Sequence, residues 1–106
     1  MKTRKEDTPY KVNSLLTAEQ IAQFKDDCFK KYGTGMSPVV KMFANQFIRG
    51  EFQLKADKNI TLEGTPQRFN MMVDQQLLQD LKDKCKEQGD SVSQWIKTLT
   101  VWVHNN

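Results

Sequence analysis

Two rhythms of apolar residues run along this chain, and the pair occurs twice. From Tyr10 to Leu16, and again from Gln67 to Val73, apolar and polar residues alternate, which predicts a strand with one buried face. Behind each strand the period lengthens. Ile21, Phe24, Cys28 and Tyr32 recur at three- and four-residue spacing, as do Leu78, Leu81 and Cys85, so each set forms a stripe on one helix face. Lys25, Asp26, Asp27, Lys30 and Lys31 occupy the rest of the first helix. Asp80, Lys82, Asp83, Lys84, Lys86 and Glu87 do the same in the second, and both charge runs read as solvated faces. A more apolar stretch closes each half: Val39, Val40, Phe43, Ala44, Phe47 and Ile48 in one, Trp95, Ile96, Leu99, Val101, Trp102 and Val103 in the other. Helices so apolar belong in the interior, and these two are expected to pair at the centre of the core. Trp95 and Trp102 share one helix face and read as core or partner-contacting residues.

Start and stop signals repeat with the same spacing. Thr17 and Asp74 stand 57 residues apart at the two first-helix starts, and Cys28 and Cys85 keep that offset. Thr17-Ala18-Glu19-Gln20 reads as a capping box, in which the hydroxyl takes a free amide and the glutamine reaches back. Gly33 to Ser37 and Gly89 to Ser93 supply turns, Gly89 suiting a left-handed residue, after which the offset slips to 56. Ser37-Pro38 is expected to cap the next helix with proline at its first position, and Ser91-Val92-Ser93-Gln94 is a second capping box. The unit strand, helix, turn, helix is therefore present twice.

A strand of about seven residues is not stable alone, and half of a 106-residue chain buries only a marginal core. The expected fold is mainly α with a two-stranded antiparallel β-ribbon, residues 10–16 against 67–73. Residues 1–9 form a basic flexible arm, 10–49 the first repeat, 50–66 a linker and 67–106 the second repeat, the repeats sharing one domain. The linker is long for a compact domain. Phe52-Gln53-Leu54 and Ile60-Thr61-Leu62 alternate around Asp57-Lys58-Asn59, which fits either a small hairpin or a tether lying across the domain with Phe52 and Leu62 as anchors.

Charge adds a modest bias. The formal net charge is +3, and all of the surplus lies before residue 67, with Lys2, Arg4 and Lys5 just ahead of the first strand. There is no apolar run of bilayer length and no apolar stretch at the start, so the chain reads as a soluble, cytoplasmic protein without membrane contact. Its two cysteines then read as reduced, buried thiols. One histidine, His104, and no grouping of His, Cys or carboxylates at ligand spacing argue against an enzyme and against any cofactor, metal or small-molecule substrate.

The second repeat carries a family resemblance most fully. It has alternating Arg68-Phe69-Asn70-Met71-Met72-Val73, an acidic helix start, a helix ending in Glu87-Gln88-Gly89, and Ser91-Val92-Ser93 opening an apolar helix. In this the chain resembles the ribbon-helix-helix DNA-binding family, the Arc/MetJ group, whose members read DNA with strands in the major groove. The likeness extends over the chain outside the N-terminal arm and the linker. Most members are homodimers of one unit; two copies in one chain resemble the tandem form of TraY-like accessory proteins of conjugative plasmids. The resemblance implies a tandem pseudo-dimer that binds double-stranded DNA sequence-specifically, as a transcriptional repressor or a plasmid or phage DNA-processing accessory. It also implies that pseudo-dimers self-associate on DNA. The alternative is an interaction module on the same scaffold, contacting another protein through the ribbon, the linker or Trp102. Its antitoxin version is disfavoured, because only His104-Asn105-Asn106 follow Val103.

Alternation selects the residues that would touch bases. Val12, Ser14 and Leu16, with Phe69, Met71 and Val73, are expected to face the helices, Ser14 being a polar departure. Lys11, Asn13 and Leu15, with Arg68, Asn70 and Met72, are expected to face outward. Basic side chains can donate to guanine, asparagine can pair with adenine, and an apolar tip can meet a thymine methyl. The resemblance also implies phosphate contacts at the start of each second helix, at Gly35, Met36 and Ser37 and at Ser91, Val92 and Ser93, where free amides and the helix dipole favour an anion. Lys2, Arg4 and Lys5 would add phosphate or minor-groove contacts.

Overall fold

The alternating segments pair with each other. The computed structural model describes residues 11–106, with side chains from Ser14 onward. The arm residues Lys2, Arg4 and Lys5, the expected strand start at Tyr10, and the side chains of Lys11, Val12 and Asn13 lie outside the described residues. Strand β1 (Lys11–Thr17) leads into helices α1 (Ala18–Tyr32) and α2 (Met36–Ile48); strand β2 (Pro66–Met72) leads into α3 (Gln75–Glu87) and α4 (Val92–Asn105). The strands form a two-stranded antiparallel sheet centred on Asn13 opposite Asn70. Val73 falls one residue past β2 and is half-buried beside the core.

Caps set the helix starts. Thr17 accepts the Gln20 amide at 3.0 Å, Asp74 the Leu77 amide at 3.1 Å and Ser91 the Gln94 amide at 3.2 Å. Three expectations fail in detail, the first being the return bond of the second capping box, where only the Gln94 backbone amide bonds Ser91. The Gln20 side chain does not reach back; its Nε2 donates to the buried Thr100 hydroxyl at 3.0 Å, because a buried oxygen in α4 needs a partner that α1 can supply. Helix α2 is capped by Gly35 and not by Ser37, which places Ser37 second and Pro38 third in the helix. The earlier start lets Met36 pack on the core, and Pro38 still lies in the first turn, where a missing N–H is no loss. Gly33 and Gly89 follow α1 and α3 with φ of 72° and 78°, the left-handed region that favours glycine.

One hydrophobic cluster draws on both halves, from Leu16 to Val103. Phe24 of α1 meets Phe69 of β2 edge-on at 6.4 Å, and α2 meets α4 through Phe47 on Trp95 at 4.9 Å and Phe43 on Trp102 at 5.4 Å. The solvated face expected on α1 is interrupted. Asp27 is buried and its carboxylate lies 3.0 Å from His104 Nδ1, while Lys31 donates to the carbonyls of Val103 and His104 at the end of α4. A cation at a helix C-terminus complements both its free carbonyls and its dipole. Tyr32, assigned to the inward stripe, is partly exposed and rests edge-on against Phe43.

Up to Thr65 the linker contains no strand and lies across the domain as a tether, and its last residue, Pro66, begins β2. Phe52 and Leu62 anchor it, Phe52 sitting 4.8 Å from Phe43 and 4.9 Å from Trp102. Polar bonds add to this: Ala56 N donates to Asp90 at 2.9 Å, Asp57 N to Thr98 at 2.9 Å, and Gln88 Nε2 to the Leu54 carbonyl at 2.8 Å. At its far end Ala18 N donates to Thr65 O and Thr65 N to the Glu19 carboxylate, seating Gly64 (φ 124°) where a Cβ would overlap that carboxylate. No helix of the described residues is long and apolar enough to cross a membrane.

Candidate nucleic-acid interface

The two faces of the ribbon separate as alternation requires. Ser14, Leu16, Phe69 and Met71 are buried against the helices, whereas Leu15, Arg68, Asn70 and Met72 are exposed. Leu15 and Met72 are each 56% exposed, although both are large and apolar. Leu15 is paired with Arg68, and Met72 with Lys11, so at both places the backbone register sets an apolar residue opposite a basic one. Asn13 and Asn70 form the central pair. Lys11 and Asn13 are thus placed by their backbone register alone.

The register has a further property. Replacing every residue by its counterpart 57 positions away turns Lys11 opposite Met72 into Arg68 opposite Leu15, and leaves Asn13 opposite Asn70. The strands pair as two copies of one strand would across a two-fold axis.

Ser14 is explained by its surroundings. Its side chain is 1% exposed and its hydroxyl donates to the Ser93 carbonyl at 2.8 Å, tying β1 to the first turn of α4. This places Ser91, Val92 and Ser93 beside the ribbon. Ser91 and Ser93 are exposed while Val92 packs on the core, so at Val92 only the backbone is free to meet an anion. At the start of α2, Met36 likewise turns inward and Ser37 is half-buried; Gly35 caps without a side chain. Backbone amides in the first turn of each second helix are the groups that an oxyanion would meet there.

A notch of about 140 Å³ opens beside Leu15, lined by Leu16, Thr17, Leu62, Gly64, Pro66 and Lys97. Lys97 was no sequence candidate, since nothing in a one-dimensional pattern marks a helical lysine as lying next to a strand 80 residues away. A larger cavity of about 450 Å³ lies elsewhere, between the ends of α2 and α3 and the linker, with Lys55, Lys84 and Gln88 on its wall. Among the described residues no cluster of His, Cys, Asp or Glu could hold a metal ion. Comparison with known protein families, with curated proteins and with solved structures returned no match.

Proposed function

We propose that this chain is a tandem ribbon-helix-helix protein whose two repeats form the equivalent of a family dimer, and that it binds double-stranded DNA by laying the ribbon in the major groove. The observation that carries the reading is the outer ribbon face. It holds two large apolar side chains in water, Leu15 and Met72, beside exposed Arg68 and Asn70. A thymine methyl is complementary to the two apolar side chains, and base-edge acceptors and donors to the basic and amide ones. The two-fold character of the register and the placement of the α4 start beside β1 support the same reading. The biological role we infer is transcriptional repression or accessory work in plasmid or phage DNA processing.

Gel shifts on random duplex followed by binding-site selection test this. Arg68→Ala and Asn70→Ala are each expected to lose about 1–3 kcal/mol of discrimination between matched and mismatched duplexes. Because Leu15 stands where Met72 stands in the other strand, and Lys11 where Arg68 does, the selected half-sites are expected to differ. Full discrimination in both variants would place base reading elsewhere. A second reading, a protein-interaction module, draws on Phe29, Tyr32 and Met42, exposed apolar residues of α1 and α2. It takes over if the chain binds no duplex at low salt.

A further inference from the structure

Two lysines hold equivalent sequence positions in the second helices, and one of them lies beside the ribbon. Lys41 lies four residues after Ser37 in α2, and Lys97 four residues after Ser93 in α4, at the 56-residue offset that relates the two helices. A spacing of four puts each lysine on the same helix face as its serine, one turn further in. In α4 that face is turned to the ribbon: the Ser93 carbonyl takes the Ser14 hydroxyl, and Lys97 lines the notch next to Leu15 and Thr17. Lys97 forms no ion pair with a described residue, whereas helix α2, which carries Lys41, does not pack on the strands as α4 does.

We infer that Lys97 holds a phosphate of the DNA backbone at the Leu15 end of the ribbon. The inference rests on the DNA-binding reading and extends it past the helix starts to a second, charged contact one turn along. A ribbon in the major groove has a phosphate strand on both sides, and side chains flanking the ribbon are the ones that face those strands. At the Leu15 end the notch walls come from β1, the linker and α4, and the nearby Glu19 carboxylate is held by the Thr65 amide. Lys97 is half-buried there, so it gives up little side-chain freedom on meeting a phosphate.

The test is the salt dependence of duplex binding by the full chain. Lys97→Gln is expected to lower the slope of log affinity against log salt by about one, on matched and mismatched duplexes alike. Lys97→Arg, which keeps the charge and most of the stem, is expected to restore the slope. Lys82→Gln, on the exposed face of α3, serves as the control and is expected to leave it unchanged. A slope that stays at the wild-type value in Lys97→Gln, or falls no further than in Lys82→Gln, overturns the phosphate assignment while the ribbon reading stands. A wild-type chain that binds no duplex at low salt overturns the ribbon reading, and this inference with it.

Discussion

Asp90 does more for this structure than its place in a turn suggests. Its side chain is wholly buried, which opposes ionisation, yet the Ala56 amide at 2.9 Å, the Gln88 amide at 2.7 Å and the Lys55 ammonium at 3.6 Å hold its carboxyl below the usual carboxylate range. A carboxyl lowered by folding stabilises the native state above the unfolded value of about 3.9, and that contribution fades as pH falls through the folded value. Asp90→Asn is therefore expected to cost about 1–3 kcal/mol at neutral pH, with the gap to wild type closing below about pH 4. Urea melts at several pH values measure it; a gap that does not change with pH would refute it. The cysteines behave oppositely. Burial first, and then the charges of Asp27 and Asp90, push the Cys28 and Cys85 thiols up to about 11 and about 12. Iodoacetamide is expected to spare both at neutral pH until the chain unfolds, since the thiolate is the reactive form. Rapid alkylation of the folded protein would show that the core opens locally.

Among the elements, α2 and α4 carry the largest apolar load. Phe43 sits among Tyr32, Phe52 and Trp102, and Leu99 is fully buried. Truncation of either to alanine is expected to cost about 2–5 kcal/mol by lost transfer energy and the cavity left behind. Denaturant midpoints check it, and losses typical of surface positions would mean that these helix faces are wrongly assigned. Phe43 also binds the linker to the core through Phe52. Its loss is expected to loosen residues 50–56 first, which hydrogen exchange of the Ala56 amide would register.

At the level of the molecule, neither half holds a complete core. Leu16, Phe24 and Phe43 lie in one cluster with Phe69, Leu81 and Trp95, and the ribbon exists only by pairing across the halves. A chain cut between Lys58 and Asn59, in the exposed turn of the linker, is expected to stay associated and to unfold in a single step whose midpoint rises with concentration. Two separate, concentration-independent transitions would show that each half folds alone.

The elements were legible in the sequence because they rest on local physics. Alternation marks a strand, a three- and four-residue stripe marks a helix, and Thr17, Asp74 and Ser91 cap where side-chain oxygens meet free amides. The outward placement of Leu15, Arg68, Asn70 and Met72 followed from the same alternation. Features that join residues far apart in the chain were not legible. The Gln20 bond to Thr100, the Asp27 contact with His104 and the Ser14 bond to Ser93 span 80, 77 and 79 residues. Each looked like a local cap, a solvated charge or a misplaced polar residue until a distant partner was brought within reach. Periodicity reports which face of an element is apolar, and it carries no information about which polar atoms stand opposite one another across the core. Those pairings follow from burial, which leaves a polar atom no water to bond and requires a partner from whichever element packs against it.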